Sequence, residues 1–263
     1  GGYRLGHDRI FDHMMLDGLE DAYEPGRSMG TFGEDCAAKY GFTRAEQDAF
    51  ATASVERAKA ATASGAFAAE ITPVTVKSRA GETVVSVDEG PGKVKLDKIA
   101  SLKPAFKKDG TITAASSSSI NDGAAALVMM RASTATKLGC KPLARIVGHA
   151  THAQEPEWFA TAPLGATQKA LAKAGWAVGD VDLWEINEAF AVVPMALMKE
   201  LNLPHDKVNV NGGACALGHP IGASGARIMV TLIYALQARG LKKGLATLCI
   251  GGGEATAVAV ELV

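Results

Sequence analysis

From about residue 121 to the C-terminus, short apolar runs alternate with longer stretches of helical spacing, and glycines punctuate the changeovers. No other pattern in the chain constrains its fold as much. Strands alternating with helices build a sheet with helices packed on it, an α/β layered domain. Residues 124–130 read as a buried strand, and Ser133 as the cap of a short helix ending at Gly139. Residues 143–148 read as a strand, 163–174 as a helix stopped by Gly175, 181–186 as a strand and 188–201 as a helix. A long helix is expected over 221–239, stopped by Gly240. Residues 245–250 and 256–263 read as strands joined by Gly251-Gly252-Gly253-Glu254, a connection short enough to pair them antiparallel.

Residues 1–120 are more heterogeneous and read as a separate α+β unit. Thr43-Arg44-Ala45-Glu46 is a capping box, opening an Ala-rich helix that runs to about Ser64 and stops at Gly65. Residues 71–77 and 83–87 alternate like strands around a turn at Ala80-Gly81. Residues 93–108 hold six Lys and one Asp. Such a run is either a solvated surface or a phosphate-facing patch.

The 263 residues include 48% hydrophobic and 21% charged, which excludes global disorder. A net charge of -1 gives no reason to expect a nucleic-acid partner. No run of about 18 apolar residues suggests a membrane span. Four irregularly spaced Cys point to neither a disulfide scaffold nor a metal site, but to reduced thiols in a cytosol-like, cytoplasmic compartment. The chain begins at Gly1 without a signal peptide, so it is expected to be the back part of something longer.

Three segments put a reactive residue at a junction of elements, where catalytic groups usually sit. In Trp184-Glu185-Ile186-Asn187-Glu188-Ala189-Phe190, Asn187 falls where a strand ends and a helix begins. On spacing alone an ordinary N-cap is the favoured explanation, with Glu188 favouring the dipole. Residues 209–225 contain five Gly and two Asn, so a tight loop with positive-φ positions is expected there. Within it Pro220 suits the first helical position, which places His219 at a helix N-terminus where the dipole keeps imidazole neutral. In Leu248-Cys249-Ile250-Gly251-Gly252-Gly253, Cys249 is either a small core residue or a thiol beside free backbone donors of the kind an oxyanion needs.

Together, an Asn at a strand end, a His at a helix start and a Cys before three glycines resemble the thiolase family of acyl-CoA acyltransferases. The matching blocks are Asn187-Glu188-Ala189-Phe190, Gly218-His219-Pro220-Ile221-Gly222 and Cys249-Ile250-Gly251-Gly252-Gly253, with Asn121-Asp122-Gly123-Ala124-Ala125 and Met29-Gly30 in order. The resemblance implies a thiolase-like layered fold: residues 1–120 as the loop domain on the coenzyme A side, and 121–263 as a C-terminal half with a mixed sheet. It implies Claisen chemistry through an acyl-cysteine, interconverting two acetyl-CoA with acetoacetyl-CoA plus CoA, or cleaving a 3-ketoacyl-CoA. His219 would activate the nucleophile. Cys249 would be the acid/base that moves the α-proton, with a thiol pKa near neutral suited to that task. Asn187 would hold a water that forms an oxyanion hole with His219, and the Gly251 N–H would belong to a second hole. Met29, Phe106, Ala114, Ser118, Ala189 and Phe190 would line the coenzyme A and pantetheine channel. No cofactor and no metal are implied beyond the thioester substrates. The implied partners are a homodimer or homotetramer and the family's N-terminal half.

That half carries the family's nucleophilic Cys, which is expected to be missing from this chain. Cys36, placed in a loop before a helix, and Cys140 read as structural, and Cys215 as at most a wall of the site. Three further departures stand out. Ser28 replaces a common His. Ala115-Ser116-Ser117-Ser118-Ser119 replaces Gly-Asn-Ala-Ser-Gly. Lys98 stands where a smaller polar residue is common. Two rival readings remain: a related condensing enzyme such as a ketoacyl synthase, and a non-catalytic acyl-CoA-binding subunit.

Overall fold

The computed structural model describes residues 4–263; Gly1-Gly2-Tyr3, on which the expectation of no signal peptide falls, lie outside them. After a π-helical segment at Met15–Leu19 come helices α1 (Met29–Tyr40) and α2 (Arg44–Ser64), followed by a hairpin of β1 (Val74–Ser78) and β2 (Gly81–Val85). Two short helices follow, α3 (Gly90–Lys93) and α4 (Ala132–Lys137). Then β3 (Ala144–Ala153), α5 (Ala162–Ala174), β4 (Leu183–Ile186) and α6 (Val192–Leu201) alternate. The chain closes with α7 (Ala214–Leu217), α8 (Ser224–Arg239), β5 (Lys243–Ile250) and β6 (Glu254–Leu262).

The four-stranded sheet has the order β3-β6-β5-β4. β4 and β5 run parallel, while β6 is antiparallel to both β5 and β3. The expected mixed sheet is therefore present. Alternation along β5 sends its side chains to opposite faces. Leu245 and Cys249 join α1, α5 and α6 on one face, and Ala246 joins Ile228, Leu232 and Leu236 of α8 on the other. The result is a sheet between two helical layers, each fed by one apolar stripe. α2 is capped as its sequence implies. Glu46 N donates to Thr43 Oγ1 at 3.2 Å, Thr43 N donates to Glu46 Oε2 at 2.7 Å, and Gly65 closes the helix at φ 75°.

Several expectations are corrected. Residues 124–130 do not form a buried strand: Val128 is 90% exposed, and no described strand pairs with the segment. An apolar run becomes a strand only where a neighbour takes its N–H and C=O groups. Ser133 lies inside α4, whose N-cap is Arg131. The hairpin turns at Arg79-Ala80, and its strands lie about two residues from the expected ones. Cys36 is inside α1 and fully buried rather than in a loop. The helix expected from Glu188 starts only at Val192, because the intervening backbone is engaged elsewhere. Ala189 O accepts from Ser118 N, and Ala191 N donates to Ser116 O. Pro220 does not begin α8. Its carbonyl instead accepts from Ala223 N at 2.8 Å and Ser224 N at 3.0 Å, making a turn that delays the helix to Ser224.

Candidate active site

The parallel neighbours β4 and β5 end side by side. Ile186 is in register with Thr247, and Asn187 N donates to Thr247 O at 3.0 Å. Asn187 is thus held at the C-terminal end of β4, and Cys249 lies two residues beyond Thr247 on β5. Ends of parallel strands are where open α/β sheets present ligand-binding groups. Cys249 is buried in the core cluster that also holds Met29, Phe32 and Cys36. A Cβ built on Gly251 would lie 3.3 Å from Met29 Sδ, so the glycine turn after β5 packs against the start of α1.

His219 arrives from the link between α7 and α8. Its N–H donates to Ser119 O at 3.0 Å. The preceding Gly218 has φ 88°, and any side chain there would strike Asn121, so only glycine lets the two loops approach this closely. His219 Nε2 lies 3.3 Å from Asn187 Nδ2, and Nδ1 lies 2.5 Å from Ser224 Oγ. Asn187 is fully buried, and its Oδ1 has no hydrogen-bond partner. Asn187 is therefore not the cap of α6. An open groove of about 410 Å³ lies beside His219, lined by Asn121–Ala125 and Pro220–Ala223.

Glu188 is not a helix-dipole residue. Its buried carboxylate accepts from Ser54 Oγ at 2.7 Å, Asn209 Nδ2 at 2.8 Å and Cys215 N at 3.0 Å. Asn209, at φ 48°, also binds both Ile186 N and Ile186 O at 2.8 Å, continuing the edge of β4 with its side chain. These bonds fasten α2, the glycine-rich loop and the Asn187 loop to one another. Cys215 is buried inside α7, a short helix the glycine count did not suggest, and burial and Glu188 push its thiol well up.

Most of the expected channel residues do converge. Ser118 N and Oγ both donate to Ala189 O at 3.0 Å. Phe106 meets Phe190 edge to face, ring centres 5.6 Å apart, and a side chain at Gly30 would collide with the Phe106 ring. Met29 and Phe190 share the cluster around Cys249. Ala114 stays exposed at the rim. The basic run is exposed at Lys93, Lys95 and Lys98; Lys93 pairs with Glu89 at 2.9 Å and Lys98 with Asp97 at 3.5 Å.

Electrostatics revise two expectations. His219 is pushed down to about 4, by burial first and by the Arg227 charge second, so it is neutral for a reason other than the helix dipole. Burial pushes the Cys249 thiol up to about 12, not toward neutrality. Behind the sheet, burial also raises Glu185 to about 8 despite Arg227 at 3.7 Å. The sequence reading singles out neither Ser224 nor Ser54. The hydroxyl five residues after His219 was a usable signal, whereas Ser54 lies mid-helix and carries none. Among the described residues, no group of three or more His, Cys, Asp or Glu could hold a metal ion, and no helix is long and apolar enough to cross a membrane.

Comparison with known families extends this geometry. The model of the thiolase C-terminal domain matches residues 140–262, and that of the thiolase N-terminal domain matches residues 1–133. The acetyl-CoA acetyltransferase of Chromobacterium violaceum is 54% identical over 99% of this chain and 67% of its own length. That of Paracoccus denitrificans is 50% identical over 99% of this chain and 66% of its own length. The chain thus spans about two thirds of the length of these relatives. Among solved structures, the Bacillus anthracis acetyl-CoA acetyltransferase superposes with a TM-score of 0.95 at 46% identity, covering all of this chain and 66% of its own. Human mitochondrial 3-ketoacyl-CoA thiolase gives 0.90 at 36% identity, with the same coverage. With both domain models and this depth of identity along its length, the chain belongs to the thiolase family.

Proposed function

We propose that this chain supplies the proton-handling groups of an acetyl-CoA acetyltransferase, which joins two acetyl-CoA into acetoacetyl-CoA and CoA or runs that reaction in reverse. The observation that carries the reading is the meeting of Asn187 and His219 at 3.3 Å at the end of β4, whose parallel neighbour β5 carries Cys249 one residue before its own end. The relatives are named for this activity. The proposal places residues 1–120 on the coenzyme A side and 121–263 under the reacting carbons.

A cysteine outside this chain is the nucleophile. His219 takes its proton, and the thiolate attacks the thioester carbonyl. The departing CoA sulfur takes the proton of Cys249, leaving an acyl-enzyme, a His219 imidazolium and a Cys249 thiolate. Burial keeps the Cys249 proton in place but makes it costly to give up, and the new imidazolium charge offsets that cost by favouring the thiolate that remains. Cys249 then removes the α-proton of a second acetyl-CoA. The enolate oxygen is held by His219 and by a water on Asn187. The enolate carbon attacks the acyl carbonyl, whose oxyanion the Gly251 N–H helps to bind. The acyl–sulfur bond breaks, and the released cysteine thiolate recovers its proton from His219. Met29, Phe106, Ala114, Ser118, Ala189 and Phe190 guide the pantetheine arm.

The test is CoA-dependent cleavage of acetoacetyl-CoA by the protein that carries this chain, with Cys249→Ser as control. Turnover by the wild type and its loss in the variant support the reading; no turnover, or a fully active variant, overturns it. Two further parts of the proposal, a homodimer or homotetramer and a cytosol-like compartment, are read by sedimentation and by fractionation.

A further inference from the structure

Ser224 is fully buried at the first position of α8, and its hydroxyl touches two groups. One is the Pro220 carbonyl at 3.1 Å, and the other is His219 Nδ1 at 2.5 Å. On the far side of the imidazole, Asn187 Nδ2 faces Nε2 at 3.3 Å. With the amide nitrogen of Asn187 turned to the ring, donor and acceptor counting closes this chain in one way. An amide nitrogen only donates, so Nε2 accepts and carries no proton. Neutral imidazole has one N–H, which therefore sits on Nδ1 and points at Ser224 Oγ. The serine has one hydroxyl proton, and it goes to the Pro220 carbonyl, which only accepts.

We infer that Ser224 is a positioning residue for His219, fixing the imidazole as its Nδ1–H tautomer with the Nε2 lone pair turned into the site. The inference rests on the reading of His219 as the base and adds what makes it one. The ring can take a proton at Nε2 without turning over, because its other nitrogen already donates. The imidazolium that results keeps Ser224 as a fixed acceptor, so no reorganisation accompanies the charge. Serine suits the place because its hydroxyl can be anchored by a turn carbonyl and still accept. Alanine would strand a buried N–H, and the ring would gain by moving its proton to Nε2.

The experiment is ¹⁵N NMR of the histidine-labelled protein without substrate, with the His219 signal assigned by loss in His219→Ala. At pH 7 the wild type is expected to show a protonated Nδ1 and an unprotonated Nε2. Ser224→Ala is expected to shift the ring toward the Nε2–H form, and Ser224→Thr to restore the wild-type pattern. In turnover, Ser224→Ala should lower kcat about 100-fold with KM changed little, since the loss falls on proton transfer and not on binding. An Nε2–H tautomer in the wild type, or an unshifted ring in Ser224→Ala, overturns the inference. The wild-type spectrum decides even where the alanine variant fails to fold. The tautomer is read without substrate, so a protein with the expected tautomer and no thiolase turnover would sink the proposed function and leave the role of Ser224 standing.

Discussion

Asn187 Nδ2 lies 3.3 Å from His219 Nε2, although 32 residues separate them in the chain. Nothing local brings them together. Asn187 is carried by the end of β4, and His219 by a turn held between Ser119 O and Ser224. The pair exists because the 188–191 backbone bonds to residues 116–118 instead of winding into α6, which leaves Asn187 free to face the loop. A helix starting at Glu188 would have spent Asn187 as a cap.

His219→Ala should abolish acyl transfer with little change of fold, since base and oxyanion donor disappear together at a cost of several kcal/mol in the barrier. The same variant carries a pH signature. His219 in the folded chain sits near 4, below the ordinary imidazole value. Between about pH 6.5 and pH 4 the unfolded chain therefore holds the extra proton, and acidification across that window destabilises the wild type. Urea midpoints at pH 7 and pH 5 should fall further in the wild type than in the variant. Near-normal turnover in the variant would end the catalytic assignment.

Cys249→Ser should lose exchange of the acetyl-CoA α-proton with solvent deuterium, because a serine hydroxyl is a far weaker acid than even a buried thiol. Acylation of the nucleophile should survive better. The thiol is pushed up to about 12, so in the free protein it should also react slowly with iodoacetamide. Unchanged deuterium exchange in the variant would reduce Cys249 to a core thiol.

Much of this fold is legible in its punctuation. Gly65, Gly175 and Gly240 each close a helix in the left-handed conformation where the pattern places the stop. Asn187, His219 and Cys249 each show as a reactive residue beside a strand end or a glycine. What stays hidden is what depends on partners distant in sequence. Residues 124–130 have the composition of a strand but no described neighbour to pair with. Glu188 has the position of a first-turn acid, yet Ser54, Asn209 and the Cys215 amide claim its carboxylate. The high pKa of Cys249 comes from burial under α1, more than 200 residues earlier, which no local motif encodes.

Glu185→Gln should change how stability depends on pH. Glu185 is buried, its Oε1 has no partner, and its carboxyl is raised to about 8. Between the ordinary carboxylate range and pH 8 the folded state holds a proton that the unfolded chain has lost, so stability falls as pH rises through that window. One such proton corresponds to at most about 1.4 kcal/mol per pH unit. Gln cannot ionise and removes that contribution. Denaturation at pH 5, 6.5 and 8 should show a shallower decline for the variant; parallel curves would mean Glu185 is ionised throughout.

Replacing Lys93, Lys95 and Lys98 with Gln should raise the KM for the CoA thioester, more at low salt than at high, as screening weakens their pull on phosphates. Their present partners, Glu89 and Asp97, are exposed and hold them weakly, so exchange for a phosphate costs little. An unchanged KM at low salt would return the run to an ordinary solvated surface.

The last expectation concerns residues 1–263 expressed alone: no thiolase turnover and poor solubility. Covalent catalysis needs an activated nucleophile, and the proposed mechanism assigns that role to none of the four thiols. Burial raises Cys36 and Cys249 to about 12 and Cys215 well above the usual thiol range. Cys140 is exposed, but it lies between α4 and β3, at the opposite edge of the sheet from Asn187. In the proposed mechanism Cys249 moves protons, and one sulfur cannot be both acylated and free to do that. Solubility should suffer because Ile120, Val128 and Met129 are 64%, 90% and 69% exposed, and Ile146 on β3, at the edge of the described sheet, is 47% exposed; exposed apolar side chains and sheet edges favour association. Light scattering and acetoacetyl-CoA cleavage on the purified fragment decide both points. A soluble monomer with robust turnover would show that a thiol of this chain is the nucleophile, with Cys215 the first to replace by Ala, and would overturn the mechanism.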